Sequence, residues 1–281
     1  MNLESKRVIS HMSEQSTTQI NFNDALNILS NASKEAFTTD VWIPSLKRHV
    51  KIEELSAKQQ KGLLESAIDS TVAKSTFSKH FYEIVSSNCT ESKEVIEKFT
   101  IADKFSIAFA MRAQISDNIE IVFQEEPKIS SLIQLKDIID KINTYEHPTQ
   151  EVIKFSKNNV ELETTIEMPL FSEEDKFDLY IYGKDKKENN VEEFKSVVVG
   201  AFLGETSKFI KSIKLGDTDL GYDKLNIPQK IQVIEKLPAA LVQTVLEKAV
   251  VWKNKLDEIS KVKHQDFTKN IDVDSILFLT S

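Results

Sequence analysis

Five histidines, one cysteine and 44 carboxylate side chains are the groups in this chain whose spacing could support chemistry. A zinc site needs His, Cys or carboxylate ligands at short fixed intervals. His11, His49, His80, His147 and His264 stand in separate segments, none paired at such an interval. His80 falls on the apolar side of a predicted helix, where a hydrogen-bonded core histidine is the expected occupant. Cys89 is the single cysteine, which excludes an intrachain disulfide and a Cys-rich zinc site. It lacks the flanking signature of a nucleophile, and a buried free thiol is expected.

The stretch LGDTDLGYDKL is the most calcium-like in the chain, with Asp217, Asp219 and Asp223 alternating with small residues. An EF-hand loop requires glycine at its sixth position and a carboxylate at its twelfth. Counted from Asp217, those positions hold Tyr222 and Pro228, so the stretch reads as a polar turn. The sequence contains no G-x-S-x-G elbow, no Walker loop and no G-x-G-x-x-G. A hydrolase working through two distant carboxylates would escape such motifs, yet nothing in the sequence singles out a pair. The charge runs Glu173-Glu174-Asp175 and GKDKKENN read as solvated helix face or loop. The residues therefore favour an interaction protein or scaffold, with no catalytic, metal or cofactor-binding residue and no enzymatic activity.

The elements that would position any such groups follow from composition and periodicity. With 40% hydrophobic and 28% charged residues and 16 Phe, the chain has the make-up of a soluble globular protein with a large core. Acidic residues exceed basic ones, 44 to 36, which argues against nucleic acid and anionic membranes as partners. No apolar run approaches the roughly 20 residues of a bilayer helix, and MNLESKRVISHMSEQ lacks a signal peptide's apolar core. Gly200 and Gly204 make a G-x-x-x-G whose packing meaning is weak without a membrane span. One cysteine fits a reducing compartment. No small-molecule ligand is implied.

An α+β fold is expected, in four segments. Residues 1–36 read as a flexible tail followed by an amphipathic helix, whose stripe includes Phe22, Leu26 and Leu29. That helix can dock on the main body or lie in a partner's groove. Residues 37–118 begin with a strand, a basic turn and a return strand, then turn helical. Ser56 is a predicted N-cap, and Thr100 with Asp103 resembles a capping box. Lys47, Arg48 and Lys51 make a small basic spot that could meet an acidic partner. Residues 119–171 contain IEIVF and a strand pair around Asn158-Asn159. Residues 172–281 read as mostly helical, with Asn226 and Pro228 at one helix start. A long helix carries Val242, Val245, Ala249, Trp252, Leu256 and Ile259 at alternating steps of three and four. This seam suits either a core face or a coiled-coil-like partner contact through Val242, Val245, Trp252 and Leu256. NIDVDSILFLTS reads as a last strand or an apolar docking segment.

The order of these segments resembles the baseplate hub assembly proteins of T-even-type contractile-tailed bacteriophages. The resemblance is carried by WIPSLKRHVKIEELSAKQQKGLLESAID, with Pro44, Ser45, Lys58, Lys61, Leu63 and Leu64 in matching places. It continues in Asn88-Cys89 of IVSSNC and Arg112-Ala113 of FTIADKFSIAFAMRAQIS, and more loosely from His147 onward. The chain departs from the family pattern in having no Cys pairs near the middle strands or the C-terminus. The resemblance implies a protein that binds other tail or baseplate hub components, or the tape measure, as an assembly factor or chaperone. It would act in the host cytoplasm during assembly. A retained subunit of the virion baseplate is the alternative, and a carboxylate hydrolase the second.

Overall fold

Proline at position 44 cannot continue a paired strand, and the chain reverses there. In the computed structural model, β1 (Thr38–Ile43) and β2 (Arg48–Glu53) form a two-stranded sheet around the turn Pro44–Lys47. Lys47 takes a left-handed φ of 53°, and the amides of Leu46 and Lys47 both donate to the Ile43 carbonyl. Val41, Ile43, Val50 and Ile52 alternate inward and are buried, as period-2 patterning requires. The structure describes residues 21–23, 37–66, 73–182 and 191–278. Residues 1–38 and 39–281 fall into separate compact units. Of the candidate contacts in the first, Phe22 is exposed, and Leu26 and Leu29 lie outside the described residues.

The fold is α+β. After the hairpin come α1 (Ala57–Glu65), α2 (Ala73–Asn88), the short α3 (Lys93–Ile96) and α4 (Ile101–Ile115). Ser56 caps α1 in a reciprocal box with Gln59, and Thr100 does the same for α4 with Asp103. Helix α4 is buried around nearly its whole circumference, including the charged Asp103, Lys104 and Arg112. Next are the hairpin β3 (Asn118–Gln124) and β4 (Ile129–Gln134), then α5 (Leu135–Asn143), which buries Leu135, Ile138 and Ile142.

Strands β5 (Glu151–Lys157) and β6 (Val160–Ile166) meet at Asn158 and Asn159, whose φ angles of 52° and 60° are those of a primed hairpin turn. Helices α6 (Phe171–Tyr182) and α7 (Val191–Phe209) intervene before β7 (Ile210–Leu215) and the two-residue β8 (Thr218–Asp219). The four strands form one antiparallel sheet in the order β5-β6-β7-β8. Its inner face presents Ile153, Phe155, Leu162, Thr164 and Ile213, with Phe155 opposite Leu162 and Thr164 opposite Ile213. The chain closes with α8 (Ile227–Ile234), α9 (Ala239–Ser260), the hairpin β9 (Lys261–His264) and β10 (Phe267–Asn270), and a 3-10 turn at Ser275–Phe278.

The C-terminal part is mostly helical and also carries β7, which completes the central sheet, and the β9-β10 hairpin. One expectation there needs correction, the partner contact through the long helix. The α9 seam is a core face. Val242, Val245, Trp252 and Leu256 are all buried, α9 packs against β5 and α7, and the Trp252 ring lies 6.4 Å from Phe209. Those four side chains are therefore spent on the protein's own interior and are closed to a partner. Leu277 and Phe278 are buried as well, with the Phe278 ring 6.1 Å from Phe77 and 5.9 Å from Phe81. The segment docks on α2.

Asn88 fastens the first hairpin to its helices. Its amide nitrogen donates to the carbonyls of Glu53 and Glu54, and its oxygen accepts from Gln59 Nε2 at 2.8 Å. Asn88→Ala should cost about 1–3 kcal/mol, since it leaves part-buried backbone carbonyls without a donor. A urea denaturation curve measures this, and a loss under about 0.5 kcal/mol would show that water replaces the amide.

Candidate functional site

The carboxylate of Asp103 is fully buried and organises the ground beneath the first hairpin's turn. Its Oδ1 accepts from the Ser45 amide at 2.9 Å. Its Oδ2 accepts from the Thr100 amide at 2.6 Å and the Thr100 hydroxyl at 2.9 Å. Thr100 Oγ1 in turn lies 3.2 Å from His147 Nε2. Because the threonine proton goes to Asp103, its oxygen is left to accept from the imidazole. The chain of contacts thus holds the hairpin turn, the start of α4 and residue 147 in register.

Above this row opens a groove of about 510 Å³. Lys47 comes to it from the turn, Lys98 from the segment before α4 and Lys211 from β7, with Ser45, Thr100 and His147 along the floor. Lys211 pairs with Glu167 at 2.8 Å. On a chain of net charge −8, Lys47, Lys98 and the Lys211–Glu167 pair leave the border of this groove locally positive. Burial pushes the His147 imidazole below its ordinary value of 6.5, and nearby Lys47 adds to that, while Asp103 and the Pro148 carbonyl work against it. Burial, and then Asp103, raises the neighbouring Tyr145 phenol.

A histidine whose folded value is depressed binds protons more weakly than in the unfolded chain. Its contribution to stability is present above 6.5 and is lost as pH falls through the lower, folded value. The His147→Gln variant should therefore lose less stability than the parent as pH falls from above 6.5 through the folded value. Paired urea titrations at the two ends of that range test this, and parallel losses in both proteins would refute it.

Of the basic residues expected at the turn, only Lys47 reaches the groove. Arg48 turns away and forms a two-pronged pair with Glu91 at 2.7 and 2.8 Å. That hydrogen-bonded pair raises the guanidinium value and lowers the carboxylate's. Lys51 is exposed on β2, and its carbonyl accepts from Thr90. Lys98, His147 and Lys211 were not legible as partners, because they lie far apart in sequence and follow no shared period.

The remaining candidates resolve individually. Asp219 Oδ1 accepts from the Gly221 amide, which makes LGDTDLGYDKL a polar turn. Among the described residues no group of three or more His, Cys, Asp or Glu could hold a metal ion. Cys89 is a free, half-buried thiol whose value burial raises. The run Glu173-Glu174-Asp175 is not a solvated face. Glu174 is largely buried and meets Lys104 at 2.5 Å, and burial raises Asp175. The run GKDKKENN lies outside the described residues. Two further cavities exist among the described residues. One, of about 320 Å³, is lined in part by Trp42, His49 and Gln114; the other, of about 560 Å³, by Phe177, Tyr180 and Leu225. The Trp42 indole nitrogen and the Gln114 amide have no hydrogen-bond partner. Among the described residues no helix is long and apolar enough to cross a membrane.

Comparison of the chain with protein-family models, curated proteins and solved structures yields no match in any of the three.

Proposed function

We propose that this protein acts in assembly of the central hub of a contractile phage tail baseplate, binding hub or tape-measure proteins and catalysing no reaction. One observation carries the reading. Several of the residues that resemble the hub assembly family are buried or hydrogen-bonded within the fold, while Lys58 and Lys61 are exposed. The Ser45 amide is held by Asp103, Leu63 is fully buried, Asn88 ties β2 to α1, and Arg112 donates to the carbonyls of Ser116, Asn118 and Leu277. Residues placed structurally in this way are those a fold signature would retain.

On this reading the protein works in the host cytoplasm and presents a shaped, acidic surface to its partners. The test is mass spectrometry of purified mature particles beside affinity-purified protein from an assembly-stage lysate. Co-purification with hub proteins and absence from finished tails is the expected result for an assembly factor. Stoichiometric presence in finished tails would instead make the protein a retained baseplate subunit. Absence from both would defeat the tail reading.

A further inference from the structure

We infer that the groove between the first hairpin's turn and β7 is a docking site for an extended acidic segment of a protein partner. This deepens the binding role proposed above and rests on it. Three features of the groove define the occupant. Lys47 and Lys98 border it and call for negative charge, while Lys211 is already paired with Glu167. The Ser45 hydroxyl, shielded from solvent at its edge, has no hydrogen-bond partner, so a donor or acceptor is on offer there. One wall is the stretch 145–150, which runs outside any helix or sheet, and Pro148, Thr149 and Gln150 of that stretch face the groove. Pro148 and Leu170 add apolar surface.

A free phosphate would use the lysines and leave the extended wall and the apolar surface uncovered. A nucleic acid strand would carry its charge on past the groove over a chain with more acidic than basic residues, 44 to 36. An extended peptide uses every part. Its carboxylates meet the lysines, its main chain lies along residues 148–150, and its alternate side chains pack on Pro148 and Leu170. The turn is preorganised for this, since Asp103 anchors Ser45 from beneath and Lys47 is set by its left-handed backbone.

The test uses the full chain and a fluorescein-labelled ten-residue peptide alternating glutamate and threonine, with its glutamine-threonine counterpart as control. Anisotropy titration should give saturable binding of the glutamate peptide, at least about tenfold tighter than the control. The double variant Lys47→Glu/Lys98→Glu should weaken it by at least about tenfold, and Lys253→Glu/Lys255→Glu, on the exposed side of α9, by less than about twofold. Thermal melts of both variants confirm that they fold. No binding, equal binding of the two peptides, or an unchanged double variant would overturn the inference. So would displacement of the peptide by inorganic phosphate or a short oligonucleotide at lower concentration than by unlabelled peptide. Hub-protein co-purification with the double variant separates the two readings. If hub proteins are retained by parent and variant alike, the groove assignment falls and the assembly role stands. If the acidic peptide binds as expected but no hub protein is captured by the parent, the assembly role falls and the groove stands.

Discussion

Arg112→Met should lower the unfolding free energy by about 3–5 kcal/mol, the cost of leaving buried groups without the charged donor that served them. The Arg112 side chain is fully buried. Its Nε donates to the Leu277 carbonyl at 2.9 Å, and its two terminal nitrogens reach the carbonyls of Ser116 and Asn118, each at 3.3 Å. Burial lowers the guanidinium value, but an arginine stays charged across any working pH. Methionine fills much of the same space, so the loss reports the vanished hydrogen bonds more than a cavity. Arg112→Lys keeps the charge without the planar fork and should fall between the two. Urea denaturation followed through Trp42 and Trp252 gives the difference. A loss below about 1 kcal/mol for methionine would mean that water takes over the three carbonyls and that Arg112 is no keystone.

Glu174→Gln is expected to cost a similar amount, about 3–5 kcal/mol, because it strands a buried ammonium. Lys104 Nζ meets Glu174 Oε2 at 2.5 Å, with side-chain exposures of 5% and 15%. Ser78 closes the triangle, accepting from Lys104 at 3.0 Å and donating to Glu174 at 3.2 Å, so α2, α4 and α6 meet at one point. The ammonium also sits 5.7 Å from the ring centres of both Phe77 and Phe171. Those rings favour a cation but cannot replace a carboxylate. The decisive companion is the double replacement Lys104→Met/Glu174→Leu. Removing both charges should bring stability back to within about 1 kcal/mol of the parent, since a buried pair roughly breaks even against apolar packing. If the double variant is as unstable as the single one, packing at this point, and not charge, governs the loss.

What the sequence disclosed divides along a physical line. Signals that act within a few residues were legible. Ser56 and Asn226 stand at the N-caps expected of them, and Thr100 with Asp103 forms the expected capping box. Asn158 and Asn159 take the left-handed angles that asparagine tolerates. Strand β7 was hidden because IKSIKL follows directly on the apolar helix α7 and continues its hydrophobic texture. The α9 seam was legible as a stripe but not in its destination, since an apolar stripe fits a core and a partner equally. Glu174 reads as one acid among three, and only the approach of α4 makes it the counter-charge of Lys104. The groove was the least legible of all. Lys47, Lys98, His147 and Lys211 are brought together by a hairpin turn, the segment before α4, an extended stretch and strand β7, and no local rule relates them.

The bond from Arg112 to Leu277 spans 165 residues. At a synthesis rate of about 5–20 residues per second, Leu277 leaves the ribosome roughly 8–33 s after Arg112. Throughout that interval Phe77 and Phe81 on α2 lack the Phe278 side chain that finally packs on them. The nascent chain is therefore expected to expose this part of α2 until synthesis is complete. Its yield in the cell should depend on holding chaperones and on translation speed downstream of α4 more than on the equilibrium stability of the finished fold.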